Sequence, residues 1–488
     1  MKKIIIIGSG FGGLSAAAFL SKYGFDVTVL EKNSQIGGRA STYFEKGFLF
    51  DKGPSWYLMP EIFERFFQNF NKNFFDYYKL IKLDPNYRLF FEDGQIIDIP
   101  SDIESIKDIF ESLERGSSKR LEEYISNATY QYNLIDKFLY RKYESIKDVI
   151  DLKLLTDGIK LNIFHYMDGY VKRFFKSKKL RQILEYTTVF LGSSPYNTPA
   201  FYSIMSYVDF KSGVFYPFEG FSKVAQSYAE VAREFGCKIF LNNEVKKIVV
   251  KNGIAKGVET NNGFFDGDIV ISNADFYFTE NYLLEPSYKS FDEKYWNKKI
   301  LGPSAFLIFL GINKKIEKLK HHNLCLVNDW EIHFKTIFDI QKMPENPSFY
   351  ISVTSKTDKT TAPENYENLF VLVPISSGID DNDHLRKEFS EKIVNRISKL
   401  VGFDLKENII VKKVYSINDF IEDYNSYKGN ALGLSHAKFQ TAIFRLPYRS
   451  KKVKNLFFVG HYTHPGIGVP MVTIAGEVLS KIVKKIYD

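Results

Sequence analysis

From residue 3 to residue 7 the chain runs Lys-Ile-Ile-Ile-Ile, apolar without alternation, so it predicts a strand covered on both faces. Glycines interrupt the run over 8–13. Apolar positions at helical spacing follow over 14–23, and a second strand is predicted over 26–30, ending at Glu31. Strand, tight turn, helix and strand make a βαβ unit, which calls for a parallel sheet. Residues 61–207 are mostly helical in pattern, with amphipathic stretches over 61–67 and 121–143 whose faces are more apolar than a surface helix needs. The texture changes near Gly213: a helix is predicted over 222–235, then strands over 238–241, 243–248, 257–259 and 268–275. Strands over 305–312 and 369–374 and a helix over 383–400 come next, the helix preceded by Asp380-Asp381-Asn382-Asp383. That cluster lacks the glycine and terminal glutamate of a calcium loop and reads as an N-cap. The last block is a strand over 455–460, a Gly- and Pro-rich loop over 461–470, and a helix over 471–486.

Composition narrows the class. The chain has 488 residues, 44% hydrophobic and 25% charged, enough for two or three domains with large cores. A formal charge of +8 makes the surface mildly basic, without a cation run that would suit a nucleic-acid arm, so no nucleic-acid partner is expected. Lys172-Arg173-Phe174-Phe175-Lys176-Ser177-Lys178-Lys179 interleaves cations with aromatics and reads either as a solvated face or as a membrane-surface patch. No window approaches the ~18 apolar residues of a spanning helix, so membrane contact is expected to be peripheral. The N-terminal apolar run breaks at Gly8 before reaching the length of a signal peptide. Cys237 and Cys325 form no metal or disulfide framework, which fits a reduced, cytoplasmic setting. An aromatic content of 16% reflects either a bias in codon usage or a wide apolar cavity.

The first βαβ unit carries Gly8-x-Gly10-x-x-Gly13, with Glu31 about twenty positions on. Gly8 allows the turn, Gly10 lets backbone approach a pyrophosphate, and Gly13 lets helix and strand pack closely. The helix N-terminus faces the anion. Glu31 would accept ribose hydroxyls, which argues against a 2′-phosphate. His461 and His464 in the last loop lack a third ligand at metal spacing, so no metal is expected.

Gly37-Gly38-Arg39 following Glu31 resembles the extension of flavoproteins with two dinucleotide-binding domains. With Asp51-x-Gly53-Pro54, Gly213-Val214-x-Tyr216-Pro217, Ser272-Asn273-Ala274-Asp275, Gln440-Thr441-Ala442-x-Phe444-Arg445 and Thr463-His464-Pro465-Gly466-x-Gly468-x-Pro470, the whole chain resembles bacterial-type phytoene desaturases, the FAD-dependent carotenoid dehydrogenases. The resemblance implies an α/β, two-lobed protein: a glutathione-reductase-like, Rossmann-type FAD domain from 1–75, 213–285 and 425–488, and a mixed α+β substrate domain from 76–212 and 286–424. It implies FAD contacts at Gly8, Gly10, Gly13, Glu31, Lys32, Gly38, Arg39, Gly53, Pro54, Val245 and Gly460, with Gly466, Gly468, Val469 and Val472 around the isoalloxazine. It also implies a linear C30 or C40 polyene substrate, peripheral membrane association, and oxygen or a quinone as electron acceptor.

Desaturation needs a hydride acceptor and a proton sink, and a flavin supplies the first. The protein then mainly positions the bond and excludes water, which fits the lack of any catalytic triad or carboxylate pair. No base is identified. Glu219, standing where the family often has glycine, reads as a solvent-facing turn residue, with an acid–base group beside the ring as the alternative. A redox-neutral isomerase or saturase, a flavin amine oxidase, and a pigment-binding escort protein are the competing readings.

Overall fold

The run of isoleucines is the middle strand of a five-stranded parallel sheet, ordered Leu456–Phe458, Ile269–Ser272, Lys3–Ile7, Asp26–Leu30, Lys238–Phe240. Ile4 and Ile6 face one core, with helices Phe11–Lys22, Phe221–Glu234 and Val469–Tyr487. Ile5 and Ile7 face another, under a three-stranded antiparallel sheet of Val245–Lys251, Ile254–Thr260 and Gly263–Asp266. Burial on both faces is the reason the strand does not alternate. The computed structural model describes residues 1–141, 162, 165–437, 439–441 and 444–487.

The first helix begins at Phe11, three residues before the predicted start, so Gly12 and Gly13 lie in its first turn. A Cβ at Gly13 would run into the carbonyl of Gly8. The glycines therefore keep the turn tight and the helix end against the strand.

A second sheet has seven strands, ordered Ile409–Tyr415, Ser304–Ile312, Glu367–Ile375, Phe349–Ser352, His322–Leu326, Tyr87–Phe91, Ile96–Ile99. All its neighbours are antiparallel except His322–Leu326 with Tyr87–Phe91. Helix Asp383–Val401 covers one face through Phe389, Ile393 and Ile397, and its N-cap is Asn382, whose side chain accepts from the Leu385 N–H at 3.0 Å.

The helical reading of 61–207 holds for Pro60–Gln68 and Ser117–Leu139 but misses the hairpin of Tyr87–Phe91 and Ile96–Ile99, which extends this sheet. The end of the 121–143 prediction, from 142 on, lies outside the described residues. Over 172–179 the cations point outward while Phe175 is 1% exposed in the core, so the interleaving marks the outer edge of amphipathic helices Met167–Phe174 and Lys178–Glu185. Among the described residues no helix is long and apolar enough to cross a membrane.

Candidate functional site

A cavity of about 990 Å³ opens just beyond the C-terminal ends of the parallel strands and extends to the seven-stranded sheet. Its first part is walled by backbone. Gly8, Gly10, Gly37 and Gly38 line it where two turns meet: Gly37 donates its N–H to the Ser9 carbonyl at 2.9 Å, and Gly38 sits in the left-handed region at φ 58°. A Cβ at Gly10 would come 2.9 Å from Asn273 Nδ2, and one at Gly12 would come 2.7 Å from Asn273 Oδ1.

Glu31 is buried at the rim. Its Oε2 accepts from the Ser9 N–H at 2.8 Å and the Ser9 hydroxyl at 2.7 Å, and its Oε1 from the Asn33 N–H at 2.9 Å. The carboxylate thereby ties the glycine turn to the end of the second strand. Lys32 donates to the Glu422 carbonyl, and Arg39 reaches across to Ser426 Oγ and the Asn430 carbonyl, both at 3.4 Å, leaving its buried Nε without a protein partner among the described residues. A Cβ at Gly53 would strike the Arg39 carbonyl, so this glycine lets the 3-10 turn Gly38–Ala40 pass close.

The predicted residues Gly8, Gly10, Glu31, Lys32, Gly38, Arg39, Gly53 and Pro54 converge on this cavity, joined by Val245, Gly460, Gly468, Val469 and Val472. Val245 opens its strand, Val245–Lys251. Gly13 and Gly466 do not line the cavity. Gly13 packs behind the turn, and Gly466, at φ 130°, lies against His436 and Arg445, where a side chain would collide. Glu219 is exposed in a turn at φ 69°, 3.9 Å from Lys223, and away from the cavity wall. That position corrects the acid–base alternative: the left-handed turn directs the carboxylate to solvent.

Three site residues were not singled out from the sequence. Asn273 stands at the centre of the glycine cradle, donating to the Gly8 carbonyl at 3.4 Å. Asp275 is buried on the cavity wall, accepts from the Tyr462 hydroxyl at 2.8 Å, and has its pKa raised by burial. Both belong to the Ser272-Asn273-Ala274-Asp275 motif, which was the available signal. His436 accepts the Ile467 N–H at 3.1 Å and so fixes the last loop; burial holds it neutral, with its pKa lowered. Arg445, from the last predicted motif, holds the Leu434 carbonyl at 2.8 Å and is pushed down to about 10 by burial. Ala442 of that motif lies outside the described residues.

Past the cradle the walls turn apolar: Trp56, Met59, Tyr186, Phe190, Leu307, Leu324, Leu326, Phe349, Tyr350 and Leu372. A backbone cradle at a helix N-terminus suits a diphosphate, and the apolar part suits a hydrocarbon.

The family model described as flavin containing amine oxidoreductase matches residues 11–478. The chain is 44% identical over 478 residues to the carotenoid 3,4-desaturase of Haloarcula japonica, covering 97% of this chain and 96% of that one. The chain belongs to the carotenoid desaturase branch of the flavin-containing amine oxidoreductases. To the zeta-carotene-forming phytoene desaturase of Myxococcus xanthus, another relative in this branch, it is 32% identical over 485 residues, 98% of this chain and 93% of that one. A solved oxidoreductase from Methanosarcina mazei shares the fold, with a TM-score of 0.63, 16% identity, and coverage of 97% and 99% of the two chains. As a member of this family the chain takes FAD as its cofactor, and the backbone cradle and buried Arg39 Nε described above fit the FAD diphosphate.

Proposed function

We propose that this chain desaturates a linear carotenoid precursor, a C30 or C40 polyene, in carotenoid biosynthesis. The observation that carries the reading is the continuity of one cavity from the glycine cradle at Gly8 and Gly10 to walls built from aromatic and aliphatic side chains of the second sheet. In this reading Gly8, Gly10, Gly38, Arg39, Glu31 and Val245 hold the dinucleotide, and Gly460, Gly468, Val469 and Val472 flank the ring system. Bound there, FAD supplies a two-electron acceptor.

The chain's own residues do the rest. Apolar walls hold the polyene extended and exclude water from a reacting carbon that acquires allylic cation character. His436 and Arg445 stiffen the last loop from behind. The parallel-sheet segments form a cofactor lobe (1–75, 213–285, 425–488) and the remainder a substrate lobe. The polyene comes from a membrane that the protein touches peripherally on its cytoplasmic side, and oxygen or a quinone takes the electrons.

The test is anaerobic: purified holoprotein with phytoene in liposomes, following flavin bleaching and carotenoid products together. Bleaching with new conjugated double bonds is expected. An oxidised flavin with phytoene and with its C30 analogue, but conversion of cis-lycopene to the all-trans form, would replace desaturation by isomerisation.

A further inference from the structure

Beside the apolar part of the cavity lies a hydrogen-bonded pair that cofactor binding does not use. His322 opens strand His322–Leu326 and stands opposite Ser352 in the antiparallel register, which puts Tyr350, two residues before Ser352, on the same face. The Tyr350 hydroxyl and His322 Nδ1 are 2.6 Å apart. Tyr350 lines the cavity, while His322 is fully buried behind it. The imidazole lies flat on the Trp56 indole, with ring centres 4.4 Å apart and planes 6° apart, and Trp56 is itself a cavity residue.

Burial lowers the pKa of His322 and raises that of Tyr350, so both groups are neutral at rest. His321, whose ring centre is 4.5 Å from that of His322, is lowered to about 3 and is neutral as well. Among the described residues the His322 ring makes no ion pair, and a stacked indole face is placed where a cation would be stabilised. His322 Nε2 and His321 Nε2, both buried, have no protein partner among the described residues, which marks polar room for water around the ring.

We propose that Tyr350 and His322 together take the proton lost from the polyene, with the phenol donating at rest to an imidazole that carries its proton on Nε2. The inference rests on the desaturase reading. One C–H bond gives up its hydrogen with the electron pair to the acceptor that FAD supplies. The neighbouring C–H bond breaks the other way: its electron pair becomes the new C=C bond and its proton goes to the Tyr350 oxygen as the phenolic proton moves to His322 Nδ1. The imidazolium that forms rests on Trp56, and the proton returns by the same two bonds once water replaces the product. A weakly basic imidazole suffices, because a carbon acid next to an allylic cation is far stronger than imidazolium. Tyr350 is the catalytic residue; His322, acting through it, is a positioning residue.

Holoprotein carrying Tyr350→Phe or His322→Gln is mixed anaerobically with polyene liposomes, and flavin reduction is followed by stopped flow. Tyr350→Phe is expected to lower the limiting rate about a hundredfold, while KM, FAD content and quenching of tryptophan fluorescence by the polyene stay at wild-type values. Selective 15N-histidine NMR of the holoprotein, whose sequence has 8 His, is expected to show His322 as the Nε2–H tautomer, with an Nδ1 signal that moves in Tyr350→Phe. A Tyr350→Phe rate within about twofold of wild type, or a His322 ring protonated at Nδ1 at rest, overturns the proposal. If wild-type protein binds the polyene and never reduces its flavin, the desaturase reading falls and the proton acceptor with it; equal reduction in wild type and variant removes the acceptor alone.

Discussion

Asp209 shows how much a single residue can depend on its surroundings. Fully enclosed, its Oδ2 accepts from the Tyr87 and Tyr186 hydroxyls, each at 2.8 Å, and burial pushes its pKa up to about 7. Between the ordinary carboxylate range and about 7 the folded chain keeps a proton that the unfolded chain releases, so this group's contribution to stability falls as pH rises through that window and levels off above it. In thermal melts the Tm of wild type minus that of Asp209→Asn should therefore fall from about pH 4 to pH 7; a constant difference would contradict the buried, protonated carboxyl. No sequence pattern pointed to Asp209, because its partners come from a hairpin strand 122 residues away and from a short 3-10 helix 23 residues away, at no regular spacing. Glu31 was legible, since the dinucleotide fingerprint fixes its distance from the glycines. Its grip on Ser9 and Asn33 was not, because that depends on how the turn closes.

Between elements, helix Phe11–Lys22 and helix Val469–Tyr487 approach closely. A Cβ at Gly476 would lie 2.5 Å from Ser15 Oγ and 2.7 Å from the Ala16 backbone nitrogen. Replacing a helical glycine by alanine ordinarily favours the helix by about 1 kcal/mol. Here the methyl meets backbone that cannot give way, and Gly476→Ala is expected to destabilise by about 1–3 kcal/mol, seen as a lower Tm in circular dichroism; an unchanged or higher Tm would contradict the contact.

Most elements could be read from the chain because their faces are unambiguous: the doubly buried strands are wholly apolar, and the Asp383–Val401 helix carries its cap in the sequence. The Tyr87–Ile99 hairpin was missed although Asp93-Gly94 marks its turn, with Gly94 at φ 86°. Its strands are short and sit among helices, so the prevailing helical period masked the alternation. The first helix was placed late because residues 8–13 were read together as one turn, although Gly12 and Gly13 lie in the helix.

Across the whole molecule, the cofactor cradle is assembled from parts at both ends of the chain. The first strand pairs with Ile269–Ser272, that strand pairs with Leu456–Phe458, and Gly460 and Val469 complete the wall begun by Gly8 and Gly10. A chain ending at residue 450 retains every residue of the glycine fingerprint and Glu31. It is nonetheless expected to lose FAD retention, measured by flavin fluorescence after desalting, because the sheet is left with an open edge and the first helix with an uncovered face. Retention of FAD by that shortened chain would show that the N-terminal unit binds on its own.

The same arrangement bears on how the protein is made. The first strand emerges from the ribosome early and its neighbour Asp26–Leu30 follows soon after, but its other neighbour, Ile269–Ser272, is translated hundreds of residues later, and at about 5–20 residues per second the wait lasts tens of seconds. Through that interval four consecutive isoleucines must be kept from other chains. If the chain ending at residue 450 loses FAD as expected, the cofactor loads only after the C-terminal block has been made.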